Sequence, residues 1–152
     1  LAQSISHFLI SMDTAHGGIY KENLQSFEQK WKAHLVRWQT RMKDRDGMKV
    51  IQFHDNLAYF NQAYGLNSIA TIEPLPGIPP SSRHTLSLIG LIKEQTPCCI
   101  LHDVYHSTKT AKYLVDKTGI KLIIMPHDIG ALDSVDSLVG LFDHLTEAVH
   151  HD

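Results

Sequence analysis

Met48-Lys49-Val50-Ile51-Gln52-Phe53-His54-Asp55 is the stretch on which the fold turns. Val50, Ile51 and Phe53 make a short run of β-branched and aromatic residues, the composition of a buried strand, and the run stops abruptly at a histidine and a carboxylate. Working forward, Asn56 to Tyr64 reads as a short helix closed by Gly65. Ile69 to Ile72 is a second strand, ending at Glu73. Pro74-Leu75-Pro76-Gly77-Ile78-Pro79-Pro80-Ser81-Ser82 is a stiff, turn-rich segment whose serines suit the cap of the next helix, Arg83 to Glu94. Cys98 to Leu101 is a third strand, ending at His102-Asp103. Thr108 to Lys117 is a helix closed by Gly119, and Ile120 to Met125 is a fourth strand, ending at Pro126-His127-Asp128. Val135 to about Val149 is the last helix. Short apolar strands alternating with helices predict a parallel sheet covered on both faces. The expected fold is therefore α/β, a four-stranded parallel sheet flanked by helices and preceded by a long N-terminal helix.

Working backward, Leu24, Phe27, Trp31, Leu35, Trp38 and Met42 recur at spacings of three and four, one face of a helix over Ile19 to Lys43. A helix of roughly 25 residues is about 37 Å long at 1.5 Å per residue. Its apolar stripe, with two tryptophans, needs a partner surface, and core packing is the simplest one. Asp44-Arg45-Asp46-Gly47 ends it. Upstream, Ile5, Phe8, Leu9 and Met12 mark a shorter helical face, and Asp13 to Gly18, with two glycines, reads as a break. That first pattern is already running at the first residues without an N-cap, as in a helix cut from something longer.

The 152 residues suffice for one ordinary domain, and 43 % hydrophobic with 20 % charged residues is a globular composition. A net charge of −2 argues against nucleic acid as a partner. There is no apolar run of membrane-spanning length. Histidine is the anomaly, with 11 residues against 14 lysines plus arginines, and it points to metal handling or a pH response. The terminal His150-His151-Asp152 is compatible with a tag remnant, but the other histidines are scattered. Cys98 and Cys99 are adjacent, and on a strand they point to opposite faces, as two buried structural thiols would.

In open parallel sheets, ligands bind at the carboxyl ends of the strands. Each predicted strand here delivers a histidine or a carboxylate to that edge: His54-Asp55, Glu73, His102-Asp103 and His127-Asp128. Neutral imidazole and carboxylate together suit Zn²⁺, Mn²⁺ or Fe²⁺. The aspartates also suit the caps of the helices that follow. Catalytic motifs are missing: no GxSxG elbow, no GxxxxGK[ST] loop and no GxGxxG occurs. His102, Asp103 and His106 are close enough in sequence for a hydrolytic cluster, but no partner spacing supports one.

Taken together, these segments resemble the metal-specific solute-binding proteins of ABC importers, the ZnuA/TroA-like group. Tyr20-Lys21-Glu22-Asn23 with Phe27 is similar to the family's Tyr-x-x-Asn at the start of a long helix. His54-Asp55-Asn56-Leu57-Ala58-Tyr59-Phe60 and Ala63-Tyr64-Gly65-Leu66 resemble its HDxxxYFxxxYGL signature. Ile72-Glu73-Pro74-Leu75-Pro76-Gly77-Ile78-Pro79-Pro80-Ser81 resembles the LEPxPGxPPS segment of one subgroup, and Thr108 to Gly119 a further helical segment.

The resemblance implies two α/β lobes joined by a rigid helix, with a divalent transition metal clamped between them in the periplasm and delivered to an ABC permease of the inner membrane. It implies that residues 1–18 end an N-terminal lobe otherwise missing here, 19–46 form the linking helix, and 47–152 are the C-terminal lobe. His54 falls on the family's ligand histidine of that lobe. The remaining ligand, an acid just after the last strand, falls on His127 or Asp128, with Asp128 the better match. Glu73 is expected to be structural or supporting, although some members ligate through a Glu after the second strand. His102 departs from the family pattern and is incidental or an accessory metal contact. Zinc is the expected cargo, with manganese or iron as alternatives, and no catalysis is implied. Two ligands from one lobe predict weak or no metal binding by this chain alone, and the stripe of Leu24, Phe27, Trp31, Leu35 and Trp38 is a candidate homodimer contact. The competing expectation is a freestanding α/β metallohydrolase using His54, His102, His127 and Asp128.

Overall fold

The computed structural model describes residues 1–150, so His151 and Asp152 of the terminal His-His-Asp lie outside the described residues. The chain divides into two compact units, Leu1–Trp38 and the remainder from Gln39.

The first unit contains helix α1 (Ala2–Met12) and most of helix α2 (Gly17–Met42, 26 residues). The break between them is shorter than predicted. Asp13 turns the chain with φ −137°, and a single 3-10 turn, Thr14–His16, leads straight into α2, so both glycines start that helix. The reason is local bonding. The Asp13 carboxylate accepts from the His16 backbone N–H and, at 2.8 Å, from the His16 ring, while the Tyr20 hydroxyl donates to it at 2.9 Å. The Ser6 hydroxyl donates to the Tyr20 carbonyl. On α1 the residues expected to face inward are largely exposed, with Phe8 at 60 % and Met12 at 73 %, while the small Ser6 is buried. The aromatic stripe of α2 packs on itself: Phe27 stacks on Trp31, and Trp31 meets Trp38 edge-on. Phe27 and Leu35 remain exposed.

The second unit carries strands β1 (Lys49–Gln52), β2 (Asn67–Thr71), β3 (Cys99–Asp103) and β4 (Lys121–Met125). They form one four-stranded parallel sheet in the order β2-β1-β3-β4. Helices α3 (Ala58–Tyr64), α4 (Ser82–Gln95) and α5 (Lys109–Thr118) connect them, and α6 (Leu138–His150) follows. Alternation along the strands divides the core in two. Val50, Cys99 and Leu101 pack with Phe60 of α3 and Leu141, Leu145 and Val149 of α6. Ile51 and Ile100, one residue on, pack with Leu88 and Ile92 of α4 and Ala111 and Leu114 of α5. The sheet is thus covered on both faces, as a parallel sheet must be.

The local signals behave as expected. Gly65 and Gly119 close α3 and α5 in the left-handed conformation, and the Ser81 hydroxyl accepts from the His84 backbone N–H at the start of α4. Several boundaries shift by a few residues, among them β2, which spans Asn67–Thr71 instead of Ile69–Ile72, and α3, which starts at Ala58 instead of Asn56. Strand β3 runs through His102 and Asp103 instead of stopping at Leu101, because pairing with β4 continues to Asp103 opposite Met125. Helix α6 starts at Leu138, not Val135, because the Ser137 hydroxyl accepts from the Gly140 N–H and Val135 is held in the preceding turn by its bond to the Leu132 carbonyl. Cys98 precedes β3 and is only partly buried, whereas Cys99 is fully buried. Among the described residues, no helix is long and apolar enough to cross a membrane.

Candidate metal centre

Strand order decides where the site lies. The chain leaves β1 toward β2 on one side and returns to place β3 on the other, so the order reverses between β1 and β3. A crevice opens outside the carboxyl ends of strands flanking such a reversal. His54 follows β1, and Asp103 is the last residue of β3.

His54 is held from both sides. The sheet ladder continues past β1, with Phe53 N–H bonded to the Leu101 carbonyl and Glu73 N–H bonded to the Phe53 carbonyl. That second bond brings Glu73 alongside, and the His54 Nε2 donates to Glu73 Oε2 at 2.7 Å. Both side chains are nearly buried, with 10 % and 12 % exposure. With Nε2 protonated, the lone pair of the imidazole is on Nδ1.

Asp103 organises the loop after β3. Its Oδ1 accepts from the backbone N–H groups of Tyr105 and His106 at 2.8 and 2.9 Å and from the His106 Nδ1 at 2.7 Å. Burial pushes the carboxyl pKa up, but the bond from the His106 ring and those from the two backbone N–H groups outweigh it and hold the value below the usual one. Asp103 is therefore a carboxylate at neutral pH. Its Oδ2 is buried and has no hydrogen-bond partner among the described residues. His106 is about half exposed and approaches His54 edge-on, with ring centroids 4.8 Å apart. Phe53 lies against the rings of His54, His102 and His106.

One ligand atom from each of His54, Asp103 and His106 lies within 4.8 Å of the other two. Imidazole, imidazole and carboxylate is a donor set that borderline divalent cations accept. The sequence candidates distribute around it. Glu73 braces His54. His102 is fully buried on β3, its Nδ1 bonded to the Asp103 carbonyl at 2.6 Å, and its Nε2 has no hydrogen-bond partner among the described residues. His127 contacts the Asn56 side-chain amide at 3.4 Å. Asp128 is exposed and accepts from the Tyr105 hydroxyl at 2.8 Å, a bond that raises the Tyr105 pKa. From the sequence, Asp103 was one of the strand-end donors, and His106 appeared only beside it in an unsupported hydrolytic cluster; neither was grouped with His54. The signal for more was an Asp-x-x-His at a strand end, where a carboxylate can fold the loop back so that the histidine stands beside it.

Known proteins bear on this geometry. The family model described as "Zinc-uptake complex component A periplasmic" matches residues 1–151. The high-affinity zinc uptake system protein ZnuA of Brucella abortus is 25 % identical over 118 residues, which is 78 % of this chain and 35 % of that protein. The protein of the same description from Brucella suis matches equally. The chain thus spans little more than a third of the curated relatives it matches. Among solved structures, a crystal structure of ZnuA superposes with a TM-score of 0.80 at 21 % identity, covering 98 % of this chain and 53 % of that one. The solute-binding protein FpvC from Pseudomonas aeruginosa in complex with Mn²⁺ superposes with a TM-score of 0.71 at 20 % identity, covering 98 % of this chain and 56 % of that one. These likenesses establish the α/β fold. The family is a transport family, not a family of enzymes. With the model matching from the first residue to residue 151, the chain belongs to the ZnuA family of zinc-uptake components.

Proposed function

We propose that this chain is the C-terminal lobe, with its linking helix, of a periplasmic solute-binding protein that captures a divalent transition metal and delivers it to an ABC permease. Residues 1–18 then end the first lobe, 19–46 form the linking helix, and 47–152 form the second lobe. Zinc is the first candidate for cargo, in keeping with the zinc-uptake relatives, and manganese is next, in keeping with the Mn²⁺-bound FpvC. Iron is the third. The observation that carries the reading is the position of His54: nearly buried at the reversal between β1 and β3, braced by Glu73, and with a ring nitrogen within 4.8 Å of donor atoms of a second histidine and a carboxylate. Asp128 and His127 are the candidates for completing the coordination. Asp128 is bonded to Tyr105, the neighbour of His106, and His127 contacts Asn56, two residues from His54.

The metallohydrolase alternative needs His54, His102, His127 and Asp128 to converge. Among the described residues the convergent group is instead His54, Asp103 and His106. The proposed role is binding and release. Neutral imidazole is the ligand, so affinity falls as the histidines protonate toward acid pH. The test is calorimetric titration of Zn²⁺ and Mn²⁺ into the chain and its His54→Ala variant. Loss of binding with His54 supports the reading. Binding that is indifferent to His54 overturns it.

A further inference from the structure

We infer that this lobe carries a three-donor cation site of its own, His54, Asp103 and His106, able to take a zinc-class divalent ion without donors from any other part of the protein. The inference rests on the reading of His54 as a metal contact and extends it to two residues on the loop after β3. It departs from the expectation that one lobe supplies too few ligands to bind.

Three observations support it. The donors are the right chemistry and already close, within 4.8 Å of one another. Two donors on a tetrahedral zinc, with bonds of about 2.0–2.1 Å, stand about 3.3 Å apart, so the group has to contract by about 1.5 Å. His106 can supply that movement, because its side chain is 47 % exposed and is tethered through its Nδ1 contact to Asp103. Second, Asp103 is 4 % exposed, and its Oδ2 has no hydrogen-bond partner among the described residues. A buried carboxylate oxygen without a donor is costly unless something positive satisfies it. Its Oδ1 is meanwhile occupied by two backbone N–H groups, which hold the carboxylate rigidly in place. Third, His54 has an outer-shell carboxylate already in position. Metal-bound histidines almost always donate their other ring N–H to such a partner, as His54 does to Glu73. Phe53 backs the rings of His54 and His106 and limits the directions in which they can turn.

The experiment uses the whole 152-residue chain and the metal alone. Co²⁺ is added and the visible d–d absorption recorded, then Zn²⁺ affinity is measured by competition with a chromophoric chelator. The variants are His54→Ala, His106→Gln and Asp103→Asn, with folding checked by circular dichroism. Asp103→Asn keeps a side-chain oxygen for the two backbone N–H groups, and His106→Gln gives an independent reading should the Asp103→Asn variant misfold. One cobalt per chain with His-like d–d bands, and at least a tenfold loss of zinc affinity in each variant, is the expected result. If His106→Gln and Asp103→Asn bind like the parent while His54→Ala does not, the site excludes the β3 loop and only the further inference fails. A chain that binds no metal also defeats the inference, while the two-lobe reading survives. Binding unchanged in all three variants sinks both.

Discussion

Glu73 is the residue whose removal separates an orienting role from a ligating one. In the folded chain its Oε2 takes the His54 Nε2–H at 2.7 Å, and both side chains are about nine-tenths buried. Glu73→Ala leaves that N–H without an acceptor. A buried donor left unsatisfied costs about 1–3 kcal/mol, and the residual exposure of His54 admits water, so the low end of the range applies, about 1–1.5 kcal/mol. For a chain of this size that is a fall in Tm of about 2–6 °C. The effect on metal is larger. Losing the outer-shell carboxylate of a ligating histidine typically costs about 10–100-fold in affinity, or about 1.4–2.8 kcal/mol. Glu73→Gln, which keeps an acceptor oxygen but not the charge, should fall between parent and Ala variant in both measurements. Urea unfolding without metal and competitive zinc titration check the two effects separately. Zinc affinity within twofold of the parent, with an unchanged urea midpoint, refutes the claim that Glu73 holds the ring. A loss beyond about a thousandfold, well past the outer-shell range, refutes it from the other side and makes Glu73 a ligand.

Three further expectations concern the scaffold. Gly65 closes α3 at φ +69°, where a Cβ would stand 1.9 Å from Asp46 Oδ1 and 3.1 Å from the Asp46 Cα. Gly65→Ala should therefore destabilise by more than the roughly 1–2 kcal/mol of left-handed strain alone, and urea unfolding showing less than that would contradict the clash. Leu114, fully buried between α5 and the sheet, should cost about 2–5 kcal/mol as Leu114→Ala; a thermal melt indistinguishable from the parent would mean that the α4–α5 core is loose. Asp13 has its pKa lowered by bonds from the His16 ring and the Tyr20 hydroxyl. Because the folded value lies below the ordinary 3.8, the contribution of Asp13 to stability is fully present above that pH and is lost as pH falls through the folded value. The gap in stability between the parent and Asp13→Asn should accordingly close on acidification, and a carboxyl NMR titration of Asp13 with its midpoint at or above 3.8 would disprove the assignment.

Sequence alone determined the class of the fold and most of its punctuation. Short apolar runs between helical patterns specify strand and helix because burial demands a period of two or 3.6, and Gly65, Gly119 and Ser81 act through backbone geometry that is local to each turn. The motif around His54 was legible for the same reason, being contiguous. What depends on residues distant in sequence was not. The end of β3 moved to Asp103 because β4 supplies the partner, and that pairing has no trace in the run Cys98 to Leu101. On α1, periodicity identified a face but not a cover for it, and Phe8 and Met12 are exposed. The site followed the same division. Histidines and acids at strand ends could be listed from the sequence, but their grouping required knowing that β1 lies beside β3. Only that adjacency brings His54 to Asp103 and His106, while Asp128 and His127 are engaged by Tyr105 and Asn56. Strand order is set by which hydrophobic faces pack together across the whole lobe, a property of the assembled core that no window of sequence contains.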